Sequence, residues 1–256
     1  MGVMNQLSAT WYLFVVSLRR LVRSRQTMVS LLLLGFAALA VAAWAMRRER
    51  TAAQFTEEVF LTLFTSLLVP IFCLSYGTAG IASDREERTL VYLLVAPLPR
   101  PLVFLAKAFA SLVPALVWTM GSLALLCRLA GKPGLETWPA VWPSVLWSTV
   151  AYVALFLLFS VVFRRATLLA LAYALFLETL VGNLPGIAKR LAISFYTRCL
   201  VFESADELDL RLKGLYKPEL FLPISGSAAE IVLLTLCGAL FLIALTIFSV
   251  REYVSS

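Results

Sequence analysis

Long apolar runs with at most one charged residue alternate with short charged clusters along most of the chain. Six runs stand out: Met28 to Met46, Val59 to Ala82, Leu102 to Cys127, Ala140 to Phe163, Ala166 to Ala188 and Ile231 to Val250. Each reaches about 20 residues, the length that carries a helix through a bilayer's hydrocarbon core. Lipid offers no hydrogen-bond partner to the backbone, so the spans must be helical. The pattern therefore predicts an all-α integral membrane protein with six transmembrane helices in one transmembrane domain, residues 1–256. Only Arg164 and Arg165 separate the fourth run from the fifth, which predicts a tight antiparallel hairpin.

Ahead of the first run, Trp11, Phe14, Val15, Leu18 and Val22 share one helical side, with Arg19, Arg20, Arg23 and Arg25 close behind. Residues 1–27 thus read as a helix lying in the cytoplasmic interface, its apolar side in acyl chains and its guanidinium groups at phosphates. Leu13 and Val16 fall on the opposite side and Arg25 on the apolar one, so a plain extension of the first span is the alternative. Leu31 to Ala40 has the look of a signal-peptide core, with Ala38, Ala40 and Ala42 at cleavage-site spacing. The basic segment before it, Met1 to Ser30, is long for that role, and the span is retained.

Composition agrees with the pattern: 61% of the residues are hydrophobic and 14% charged, against roughly 25% charged in a soluble domain, and mean hydropathy is +0.89. The net charge of +7 comes from basic residues that flank apolar runs. It points to anionic lipid and not to nucleic acid. The chain has no histidine, which excludes His-based triads, HExxH zinc sites and imidazole-ligated haem. Cys73, Cys127, Cys199 and Cys237 are too scattered for a disulfide framework or a CxxC metal motif. No catalytic, cofactor-binding or metal site is expected.

With both termini in the cytoplasm, the 22 lysines and arginines divide equally between the two sides of the membrane, and the positive-inside rule is silent. The outer basic residues are mixed with acids, most of them in the loop Lys189 to Glu230. Trp44, Trp138 and Trp142 would form an outer aromatic belt. The expected location is the inner (cytoplasmic) membrane.

Between the second and third runs lies Ser83-Asp84-Arg85-Glu86-Glu87-Arg88-Thr89-Leu90, followed by Leu93, Leu94, Pro97, Pro99, Arg100 and Pro101. Ser83 and Glu86 are spaced as a capping box, and three acids would sit at the positive end of the helix dipole. Leu90, Leu93, Leu94 and Pro97 follow at helical intervals, and the prolines would end the helix. A short, non-spanning helix with a charged first turn and an apolar stripe is predicted within residues 83–101.

At these residues the chain resembles the membrane subunits of type 2 ABC exporters, the ABC-2 permeases. Asp84 to Leu90, Leu93, Leu94, Pro97, Arg100 and the downstream Lys107 match that family's pattern, with Arg88 standing where the family usually has Gly. The basic segment Ser17 to Arg25, the six-span plan and the ending Phe248-Ser249-Val250-Arg251-Glu252 are similar too. The resemblance implies that residues 83–101 form a coupling helix that docks on a separate cytoplasmic ABC ATPase, with Asp84, Arg85, Glu86, Glu87, Arg88, Thr89 and Leu90 at the contact. It also implies a second permease chain, identical or paralogous, and ATP with Mg bound by the partner subunit. Gly131-Lys132 is followed by Pro133 and lacks the rest of a P-loop, so it reads as a turn.

Glu178 falls inside the fifth run, and an intramembrane carboxylate is a functional candidate by default. Ser148 and Thr149, at similar depth on the fourth run, are the expected hydrogen-bond partners in a polar site across the hairpin; a substrate-path or protonation role is the alternative. Leu191, Phe195, Leu200, Leu208 and Leu212 are interspersed with charges between Lys189 and Glu230, which predicts short amphipathic helices on the outer surface, similar to the external re-entrant region of ABC-2 permeases. Asp206, Glu207 and Asp209 read as a solvated face. The function expected from all this is a permease subunit of an ATP-driven exporter. A non-transporting membrane anchor or assembly subunit would share every hydropathy feature, and an intramembrane enzyme would need more clustered acids than the lone Glu178 provides.

Overall fold

The computed structural model describes residues 3–47, 50–86, 98–178, 190, 192–207 and 224–251. Every regular element among them is helical. In chain order these are α1 (Val3–Val22), α2 (Arg25–Ala45), the continuous rod α3 (residues 52–86), α4 (Arg100–Ala130) and α5 (Lys132–Val162). They are followed by α6 (Ala166–Ala172, running on into a π-helical turn, Tyr173–Leu177), α7 (Ile193–Glu207) and α8 (Gly226–Val250). Five helices, α2, α3, α4, α5 and α8, are long and apolar enough to cross a membrane. The predicted span Ala166 to Ala188 is described only as far as Glu178.

α5 is the centre of the bundle, in contact with α3, α4, α6, α7 and α8. The most apolar stretches of α3, α4 and α5 are 67%, 56% and 61% buried, whereas those of α2 and α8 are 17% buried. Peripheral α2 and α8 therefore leave many Leu, Ile and Phe side chains, among them Leu31, Leu32, Phe36, Ile231 and Leu242, for lipid, in keeping with sequences that are apolar all round.

Three boundaries differ from those the hydropathy predicts, each for a local reason. α3 starts at Ala52 because Thr51 and Gln54 form a reciprocal capping box there. It also contains a π-helical stretch, Phe55–Leu68, in which Thr62 and Ser66 donate to carbonyls five residues back. α5 starts at Lys132, so the connection between the third and fourth predicted runs shrinks to a hinge at Gly131, whose φ of 73° suits glycine. Pro133 lies in the first turn of α5, where a missing N–H costs nothing. Gly134 then brings α5 against the end of α4: a Cβ there would overlap the Cys127 carbonyl oxygen and sit 2.7 Å from its Cα.

The third difference concerns Ser83. It is not an N-cap; its hydroxyl donates to the Ala79 carbonyl within α3, the usual behaviour of a serine inside a helix. Ser83 to Glu86 thus complete α3, and Asp84 and Glu86 lie at a helix C-terminus, the negative end of its dipole. At the far side of the segment, Pro99 and Pro101 open α4 and do not close a preceding helix. Residues 87–97, with most of the predicted coupling helix, lie outside the described residues.

α1 is a helix of its own, parted from α2 at Arg23 and Ser24, where the Ser24 hydroxyl and amide both donate to the Leu21 carbonyl. It packs along α4. Leu13, Phe14 and Leu18 turn inward and Leu21 is buried, while Trp11, Tyr12, Val16 and Val22 remain exposed. Leu13, which falls outside the predicted apolar side, is thus on the packed face, and Trp11 and Val22 are off it.

Candidate functional site

One end of the bundle gathers the start of α2, the end of α3, the start of α4, the α5–α6 turn and the end of α8. Helix C-termini expose carbonyls with no helical partner, and here arginines fill that role. Arg85 donates to the Phe163 carbonyl at 3.0 Å. Arg251 donates to the carbonyls of Val161 (3.0 Å) and Val162 (2.7 Å). Arg100 reaches the carbonyls of Ser249 (3.2 Å) and Arg251 (3.4 Å). Arg164 and Arg165 are exposed at the turn.

At the same end, Asp84 is buried, 2% exposed, and its carboxylate joins three helices. One oxygen accepts from Arg20 Nη1 of α1 at 2.5 Å; the other accepts from Lys107 Nζ of α4. Lys107 is 3% exposed and also donates to the Gly80 carbonyl at 3.4 Å. Two buried charges cost several kcal/mol each to desolvate unless geometry and further hydrogen bonds offset it, and here the Asp84 carboxylate has two cations and the ammonium a second acceptor. The result is an electrostatic node that fixes α1, α3 and α4 to one another immediately before the segment 87–97.

The seven residues predicted to meet an ATPase partner therefore divide. Asp84 faces into the chain and is held by Arg20 and Lys107. Arg85 caps a neighbouring helix while remaining partly exposed. Glu86 ends α3 on the described backbone, and Glu87, Arg88, Thr89 and Leu90 lie outside the described residues.

Glu178 is buried, 2% exposed, but not beside Ser148 and Thr149. Ser148 donates to the Val145 carbonyl. Thr149 donates to the same carbonyl at 2.7 Å, and its Oγ1 lies 3.1 Å from Thr119 Oγ1. Hydroxyls on a helix find a carbonyl three or four residues back at no distance cost, and that local partner wins. The Glu178 carboxylate instead accepts from the backbone amides of Ile193 and Ser194, both at 3.1 Å, and from Tyr173 Oη at 3.0 Å. It is the cap of α7, placed where a helix N-terminus favours negative charge.

Over Ile193–Glu207, α7 corrects the expectation of surface helices between Lys189 and Glu230; Leu191, Leu208, Asp209 and Leu212 lie outside the described residues. Phe195, Cys199, Val201 and Ala205 are buried against α5 and α8, and so is Arg198 at 1% exposure. Arg198 Nη2 lies 3.5 Å from Ser66 Oγ on the π-helical part of α3. Further along α7, Glu203 accepts from the Gly226 amide and so caps α8. Two carboxylates thus cap two successive helices across 15 and 23 residues of sequence, a relationship that no local pattern reveals.

A family model described as "ABC-2 family transporter protein" matches residues 10–204. That range takes in α2 to α6, most of α1 and α7, and every residue of the node and of the Glu178 cap. No curated protein matches the chain.

Proposed function

The chain belongs to the ABC-2 transporter family, a multi-pass transport permease, and from that premise we propose that it is the membrane subunit of an ATP-driven exporter. Two such chains, identical or paralogous, work with two ATPase chains that bind ATP and Mg. In this reading the node end of the bundle is cytoplasmic, in the inner membrane, and residues 83–101 form the contact with the ATPase, Asp84 excepted because it faces into the chain.

The observation that carries the proposal is the Arg20–Asp84–Lys107 node. A displacement delivered to residues 87–97 by a partner has to pass through the end of α3 or the start of α4. The node clamps both of those, together with α1, so the three helices would move as one unit. A segment that merely connected two spans would have no need of a buried ion pair at its root, where desolvation is costly.

Charge reversal within the segment separates contact from folding. Glu86→Lys plus Glu87→Lys is expected to weaken copurification with the ATPase subunit and to abolish transport-coupled ATP turnover in liposomes while the permease still inserts. Leu93→Asp is expected to damage permease assembly instead, by burying an unpaired charge. Full coupling in the double-lysine variant would remove the partner-contact role from these residues.

A further inference from the structure

At the end of the bundle opposite the node, a cleft of about 470 Å³ separates α2 from the π-helical part of α3. That is within the range of small-molecule sites, roughly 300–1,000 Å³. Its floor and walls are apolar, among them Val41, Val59 and Leu63, and Leu67 at its edge is exposed toward the surroundings of the bundle. Thr62 and Ser66 line it, and Glu58 is the charged residue of the lining.

The mouth is built from Trp44 and Glu58. The indole Nε1 donates to Glu58 Oε2 at 2.7 Å, which fixes the ring and carboxylate as one unit. The Arg50 guanidinium lies over the Trp44 ring, 4.9 Å from its centroid, with Nη1 3.4 Å from both Glu58 oxygens. An aromatic face beside a carboxylate, with an apolar cavity behind, is the chemistry that recognises an organic cation. The side chain of Glu58 is 50% exposed, so that charge is reachable.

We propose that this cleft is a binding site for amphipathic organic cations, with Trp44 and Glu58 receiving the charged group and the α2–α3 walls receiving the apolar body. Arg50 is its built-in competitor: a tethered cation occupies the charged mouth when the site is empty and yields to a ligand whose apolar part fills the cleft. The proposal goes beyond the ATP-driven reading, because equilibrium binding to the isolated chain requires neither an ATPase nor transport.

The test is equilibrium binding of radiolabelled tetraphenylphosphonium to the purified full chain in nanodiscs, with empty nanodiscs subtracted. Tetraphenylborate, of similar size and shape and opposite charge, is the matched probe. Saturable binding of the cation and none of the anion is expected. Glu58→Gln should weaken it about tenfold and Trp44→Leu about fivefold, with Trp44→Phe retaining most of the affinity. Arg50→Gln should tighten it several-fold, whereas Arg47→Gln, which removes an exposed charge nearby without emptying the mouth, should not. Absence of saturable cation binding, equal binding of tetraphenylborate, indifference to both Glu58→Gln and Trp44→Leu, or weaker binding in Arg50→Gln would each overturn the proposal.

Discussion

Asp84 and Lys107 form an ion pair inside the bundle, their side chains 3% and 4% exposed, between the last turn of α3 and the second turn of α4. Arg20 reaches the same carboxylate from the surface, its side chain 41% exposed. The inner half of the triad is thus shielded from solvent and the outer half is not, so the two cations contribute unequally.

Removing one member of the inner pair leaves the other charge buried and unpaired. Asp84→Asn or Lys107→Met is expected to destabilise the chain by about 3–5 kcal/mol. The Asp84→Leu, Lys107→Met double variant should recover much of that, because two apolar side chains pack where two charges had to be desolvated. Arg20→Gln, at the exposed end, should cost no more than about 1 kcal/mol. Thermal unfolding of the purified chain in detergent, followed by size-exclusion fluorescence, ranks the four variants.

Glu178 accepts two backbone amides of α7, so its removal exposes those amides to an apolar interior. Glu178→Leu is expected to cost about 1–3 kcal/mol through unsatisfied buried donors and to raise hydrogen exchange at the start of α7. Glu178→Gln keeps one acceptor oxygen and should retain most of the protection. If the Gln variant expresses and folds normally yet transports nothing, the carboxylate has a protonation or substrate role beyond capping.

Gly134 tolerates no side chain because the α4 backbone occupies the space. Gly134→Val is expected to destabilise by about 1–3 kcal/mol or more through overpacking and to lower the yield of folded protein. Gly238 on α8 has nothing within 4 Å of an added Cβ; Gly238→Ala should be neutral or slightly stabilising, since alanine favours the helix by up to about 1 kcal/mol. Yield and melting temperature of the two variants, measured side by side, check the contrast.

The alternation of helix ends makes a topology prediction. In a chain whose native cysteines are replaced, cysteines at exposed Met46 and Leu135 should react with an impermeant reagent in intact cells. Cysteine at Arg165 should react only after permeabilisation. The reverse labelling would invert the assigned orientation, and labelling of all three in intact cells would overturn the bundle topology.

Hydropathy by itself determined that the chain is helical and membrane-embedded, located the cores of α2, α3, α4, α5 and α8, and placed the hairpin turn at Arg164-Arg165. Those features follow from runs of apolar residues whose length the bilayer dictates, and they need no knowledge of neighbours. The cluster at Asp84 to Leu90 likewise pointed to the family before any fold was in view. Tertiary structure decided what the polar residues do. Asp84 reads as a surface charge in a polar cluster, yet it is buried because Lys107, 23 residues on, and Arg20, 64 residues back, meet it there. Glu178 reads as a partner for Ser148 and Thr149 at equal depth, yet those hydroxyls are satisfied by their own helix, and the carboxylate turns to the amides that open α7. α7 itself hides in a charged stretch because its burial depends on the faces of α5 and α8 and not on its own periodicity. A buried charge is placed by whichever partner the fold brings within hydrogen-bonding distance, and in this chain the decisive partners lie 15 to 64 residues away.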